Sequence, residues 1–179
     1  MSDIESFLEA AKHGSSESKM VEAYTRAKSD LESKQSNLVR CIRSKKTSSG
    51  LVAVFPSGSE DIVTEVEDAG KALADIRENI KAYLTLTDGQ PSISSLTDRL
   101  FRARRAIAEA SLEARCTLER ALRETNSSSM EEIEGLPEVQ TAMDKRDKAQ
   151  RQLGPVVEDL ESRISKIRAI LEKYDVIVI

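Results

Sequence analysis

The feature that most constrains this chain is a stripe of residues running from Val139 to Tyr174. Val139, Met143, Arg146, Gln150, Leu153, Val157, Leu160, Ile164, Ile167, Leu171 and Tyr174 follow one another by steps of four and three without a slip. That stepping puts them on one side of an α-helix, and a mostly apolar side of this width must be covered by other helices. The final third of the sequence therefore calls for partners, and the preceding segments read as the helices that supply them.

Three earlier segments carry the same period. Met20, Tyr24, Ala27, Leu31, Lys34, Leu38 and Cys41 mark a helix opened by Ser15 or Ser16 and expected to end near Lys46. Ile62, Val66, Ala69, Leu73, Ile76, Ile80 and Tyr83 mark a helix after Ser59 whose acidic first turns suit the helix dipole. Ile93, Leu96, Leu100, Ile107, Leu118 and Leu122, interleaved with Ala103, Ala106, Ala110, Ala114 and Ala121, mark a helix running to about Thr125, and its small residues allow close approach of a neighbour. Ser2 and Glu5 form a capping box for a short N-terminal helix, Thr87 to Pro91 is a stop and turn, and Pro137 suits the first position of the last helix. Gly154-Pro155 interrupts that last helix but keeps the stripe in phase, so the spacing predicts a kink rather than a loop.

The expected fold is all-α: an up-down-up-down four-helix bundle with coiled-coil-like seams and a short N-terminal helix. Its 179 residues suit a single domain, with residues 1–14 as a helical arm and 176–179 as an extended apolar tail. Leu51 to Phe55 is apolar and β-preferring but too short for a helix. It reads either as a short strand or as a plug over the bundle's end, and the plug is favoured because a lone hairpin is marginal in water.

Composition narrows the function classes. A net charge of -4 argues against a general polyanion binder, so no specific nucleic acid is expected. Cys41 and Cys116 lie in no metal or redox motif, and with no secretory leader or membrane-spanning run the chain reads as intracellular, with a cytoplasmic setting expected. A di-iron bundle site, zinc or haem would need more ligands than one histidine, His13, so no metal or other cofactor is expected. Neither a phosphate-cradling glycine loop nor a nucleophile-base pairing stands out, and neither an enzyme nor a small-molecule substrate is indicated.

Three stretches remain as interaction candidates. Arg99, Arg102, Arg104 and Arg105 crowd a helix start, against the dipole's preference. With Arg163, Lys166, Arg168 and Lys173 they would form a basic end, unless Glu158, Asp159, Glu161, Glu172 and Asp175 balance it. Arg146 and Gln150 are polar positions within the last stripe, in a block from Asp144 to Gln152 whose one apolar residue is Ala149. Val176, Ile177, Val178 and Ile179 are four β-branched residues, poor helix formers suited to docking as a strand on the Leu51 to Phe55 run or on a partner. The sequence thus points to a non-enzymatic protein-protein interaction module, a subunit, adaptor or scaffold that binds a helical partner or itself. The alternative is a peripheral protein that meets a membrane surface or anionic lipid.

Overall fold

A computed structural model describes residues 3–11, 17–47, 50–54, 60–90, 92–125 and 129–174. The fold is a helical bundle with a short N-terminal helix, as the four stripes predict. The helices are α1 (Asp3–Ala10), α2 (Ser18–Cys41), α3 (Glu60–Leu86), α4 (Ser94–Glu124), α5 (Met130–Glu134) and α6 (Pro137–Glu172). The chain divides into two compact units, one comprising Met1–Ser92 with Ile167–Ile179 and the other Ile93–Lys166. Among the described residues no helix is long and apolar enough to cross a membrane.

In the first unit, α2 and α3 form an antiparallel pair. Tyr83 donates a 2.5 Å hydrogen bond to Glu17 beside the start of α2, while further along Arg77 donates to the Tyr24 hydroxyl at 3.3 Å. Rising numbers on one helix thus meet falling numbers on the other. Met20, Ile80 and Tyr83 are fully buried here, and α1 adds Phe7, whose ring lies 5.5 Å from that of Tyr83. Burial of such side chains is worth about 1.5–3 kcal/mol each. Ile167 and Leu171 near the end of α6 are also fully buried. That end is tied to α3 by polar contacts: Asn79 donates to the Tyr174 hydroxyl at 3.0 Å and accepts from Lys173 at 3.1 Å.

The stop after α3 follows from its residues. Asp88 adopts φ 55° and Gly89 φ 77°, the left-handed conformation that ends a helix. The Gly89 amide then donates back to the Leu84 carbonyl at 2.7 Å, and the buried Thr87 hydroxyl lies 2.6 Å from the Gln90 carbonyl.

One expectation is corrected between α2 and α3. The helix ends at Cys41, not near Lys46, and Ile42 turns the backbone extended at ψ 117°. β1 (Arg43–Thr47) then pairs antiparallel with β2 (Gly50–Val54), in the register Arg43↔Val54 to Thr47↔Gly50. The Leu51 run is therefore a strand as far as Val54, and Phe55 lies outside the described residues. Its partner is the polar stretch that would otherwise have extended α2, since pairing satisfies the β2 backbone groups on one side.

In the second unit α4 and α6 run antiparallel. Arg104 pairs with Glu161 at 2.7 Å, while later on α4 Glu113 pairs with Lys145, earlier on α6. Most of the expected α4 seam is buried: Leu96, Leu100, Ala103, Ala110, Ala114 and Ala121 are buried and Ile93, Ile107 and Leu118 half-buried, whereas Ala106 and Leu122, about 80° to either side of that line, are exposed. Beyond it, Ala121, Ile133 of α5 and Val139 of α6 form a small core, flanked by Leu118, Leu136 and Met143. Pro137 does open α6, and the helix continues through Pro155 to Glu172.

Candidate interaction surface

The arginines that crowd the start of α4 are placed by its register. The seam positions face inward, so Arg99, Arg102, Arg104 and Arg105 are left exposed. Arg102 donates to the Asp98 carbonyl at 3.3 Å, one turn back. Arg104 meets Glu161, and Arg105 donates to Glu109 at 2.7 Å, a pair that raises the pKa of the guanidinium. Further along, Arg115 donates to Glu119 at 2.8 Å and holds that carboxyl below its ordinary pKa. Arg163 lies 3.6 Å from Asp159. These cations are interleaved with carboxylates, which lowers the local positive potential available to a polyanion. Of the closing-helix cations, Arg163 and Lys166 lie in the second unit and Arg168 and Lys173 in the first.

Arg146 is half-buried in the α6 stripe and donates to its neighbour Asp147 at 2.8 and 2.6 Å. Gln150 is exposed. Arg146 and Gln150 lie on α6 and the four arginines on α4, and Val176, Ile177, Val178 and Ile179 lie outside the described residues.

A second α4 surface is not among the sequence-based candidates. Phe101 and Leu112 are 65% and 61% exposed, large values for such side chains, and Ala108 between them is exposed too. Residues seven and eleven apart return to within about 20° of each other on an α-helix, so the three share one line. Seam residue Ala110, nine residues on from Phe101, lies about 180° round the same helix. The helix is therefore apolar on two opposite sides, one buried and one open. The open line is bordered by the Arg105–Glu109 and Arg115–Glu119 pairs. The spacing of Phe101, Ala108 and Leu112 is present in the sequence, but only burial distinguishes this open line from the seam on the other side of α4.

Other parts offer less chemistry. A cleft of about 620 Å³ between α1 and α3 is lined by Ser6, Phe7, Lys81, Leu84 and Thr85, and Lys81, the one charged group among the described lining residues, is exposed and paired with Glu78 at 2.6 Å. Cys41 is half-buried and Cys116 exposed, both as free thiols, and no group of acidic, histidine and cysteine residues suited to a metal occurs among the described residues. His13 lies outside them. Comparison of the chain with protein-family models, curated proteins and solved structures finds no match.

Proposed function

We propose that this protein is a non-enzymatic helical interaction module, a subunit, adaptor or scaffold, that binds another protein along the outer line of α4. The observation that carries this reading is the exposure of Phe101 and Leu112 on one line of a helix whose other side is already buried. Covering both would gain about 3–6 kcal/mol at 1.5–3 per side chain. Association costs about 4–15 kcal/mol in lost freedom, so the two anchors need further contacts beside them. The flanking ion pairs suggest what these are: an amphipathic helix laid along the line could exchange its own charges with Arg105, Glu109, Arg115 and Glu119.

The test compares the wild-type chain with a Phe101→Asp, Leu112→Asp double variant in a native pull-down from the source cell. Both positions are exposed, so helix content and melting temperature should stay near wild type, while a stoichiometric partner is lost. Retention of every partner by a folded double variant would remove the α4 line from the interface. Sedimentation of the wild type with vesicles of anionic lipid, abolished by the same substitutions, would replace this reading with the peripheral membrane one.

A further inference from the structure

The β-hairpin between α2 and α3 has two edges of opposite character. β1 carries Arg43, Lys45 and Lys46, whereas β2 is Gly-Leu-Val-Ala-Val with neither charge nor proline. Among the described residues the sheet contains these two strands alone. Charged residues, above all lysine, are a common means of keeping an edge strand from pairing, and an uncharged apolar edge lacks that protection. A two-stranded ribbon is also marginal by itself, and sheets become stable at three or more strands.

We infer that β2 is a docking edge for β2 of a second copy of this chain, giving a four-stranded antiparallel sheet in the order β1-β2-β2-β1. The register within the hairpin specifies which backbone groups are free for this. Thr47 and Gly50 are paired with two residues between them, so they form the closing hydrogen-bonded pair of a tight turn. Hydrogen-bonded and non-hydrogen-bonded pairs alternate from there. Val52 and Val54 therefore bond to β1, and the N–H and C=O groups of Leu51 and Ala53 point away from it. A twofold axis at Val52 sets Leu51 of each copy opposite Ala53 of the other, and each such pair exchanges two hydrogen bonds. The four outward groups on each strand are thereby all satisfied.

Charge favours a second copy over an unrelated strand. In this arrangement the Val54 end of one β2 lies beside the Gly50 end of the other. The chain leaving Val54 leads to the exposed acidic start of α3, Glu60 and Asp61, while the strand beside Gly50 is the basic β1 with Lys45 and Lys46. The strand end that meets the basic hairpin of the other copy is thus the one followed in the chain by Glu60 and Asp61, twice per dimer by symmetry. The alternative pairing through β1 would bring together two strands that each carry Arg43, Lys45 and Lys46, with Lys45 opposite its own copy when the axis lies there, a like-charge arrangement that costs stability.

This proposal rests on the hairpin and not on α4, so either can fail while the other stands. Light scattering of the full-length chain over a concentration series should show a reversible dimer. Ala53→Pro removes one outward N–H from each copy and leaves the bonds to β1 in place, so it should weaken dimerisation about thirtyfold for two lost ladder bonds. Ser44→Pro, the corresponding change on the outer edge of β1, should leave dimerisation unchanged. Circular dichroism reports whether each variant keeps its helices, and Ala53→Lys, which blunts the same edge by charge, provides a second variant. The amides of Leu51 and Ala53 should gain hydrogen-exchange protection as concentration rises. A chain that is monomeric throughout would overturn the proposal. So would a dimer weakened equally by Ser44→Pro, or one abolished by deleting Val176–Ile179 and insensitive to both Ala53 variants, which would make the tail the occupant.

Discussion

Two stretches of α6, Asp144 to Asp159 and Leu160 to Leu171, obey the same heptad stepping and meet different fates. From Leu160 onward Leu160, Ile164, Ile167 and Leu171 are all buried, three of them completely. From Asp144 to Asp159 no residue is buried, and the stripe positions Arg146, Leu153 and Val157 are half-covered with Gln150 exposed. Periodicity places a residue on a face, but burial also requires a side chain that loses nothing by leaving water. A guanidinium and an amide at two consecutive stripe positions weaken that condition along the whole stretch, even where Leu153 and Val157 resume the apolar pattern. The lesson is that stepping predicts direction, and side-chain chemistry decides how tightly the face closes.

The largest test of this contrast is truncation. Ile164→Ala should cost about 2–5 kcal/mol, because it deletes buried methyl groups and leaves a cavity. Ile164 is 7% exposed, so little solvent can relieve the loss. Gln150→Ala, at an equivalent stripe position in the open part, should stay within about 0.5 kcal/mol. Equal losses in urea unfolding would mean that the open part is covered by something absent from a single chain, as in an assembly.

A smaller effect of opposite sign is expected at Pro155. Proline inside a helix leaves the Arg151 carbonyl without its usual donor and costs up to about 3 kcal/mol relative to alanine. The helix nevertheless passes through it. Gly154 supplies a reason: the ring of a proline clashes with the Cβ of a preceding helical residue, and glycine has none. Pro155→Ala should therefore raise the denaturation midpoint. It should also narrow a difference measurable by hydrogen exchange in the wild type, where amides of residues 144–152 exchange faster than those of 160–171. If protection is uniform before the substitution, sparse burial does not govern local opening in this helix.

How much of this was legible depends on whether the deciding interaction is local. The Leu160 to Leu171 seam, the α4 seam apart from Ala106 and Leu122, Pro137 at a helix start and the stop at Thr87 to Gly89 follow from spacing and turn chemistry within a few residues, and they stand in the structure as read. The hairpin did not follow, because Arg43–Thr47 looks like a basic helix end until Gly50–Val54 is there to pair with it. The arginine cluster divides the same way. Glu109 sits one turn from Arg105 and could be read as its partner, whereas Glu161 is 57 residues from Arg104 and only the fold brings them together. Phe101 and Leu112 were visible as residues, but only burial shows that the side of α4 they occupy stays open.

The smallest expected effect sharpens the contrast at the closed end of α6, where its last turn is held by a polar contact as well as by burial. Asn79 donates to the Tyr174 hydroxyl. Tyr174→Phe removes that bond and should cost about 0.5–1 kcal/mol, the lower part of the usual range because the residue is only half-buried. The ionisation of this phenol gives the substitution a second readout. Burial raises the Tyr174 pKa most, the amide hydrogen bond from Asn79 lowers it in part, and the charge of Asp75 raises it further. The net shift is upward, so the folded state binds the phenolic proton more tightly than the unfolded state, whose value is about 10. The resulting stabilisation is fully present below pH about 10 and is lost as pH rises through the higher folded value. Alkaline unfolding curves of the wild type should therefore fall more steeply in that window than those of Tyr174→Phe, with the two converging as the phenolate forms. Parallel curves would mean that Tyr174 ionises equally well in both states, and the anchor at the end of α6 would then rest on Ile167, Leu171 and the Lys173–Asn79 contact.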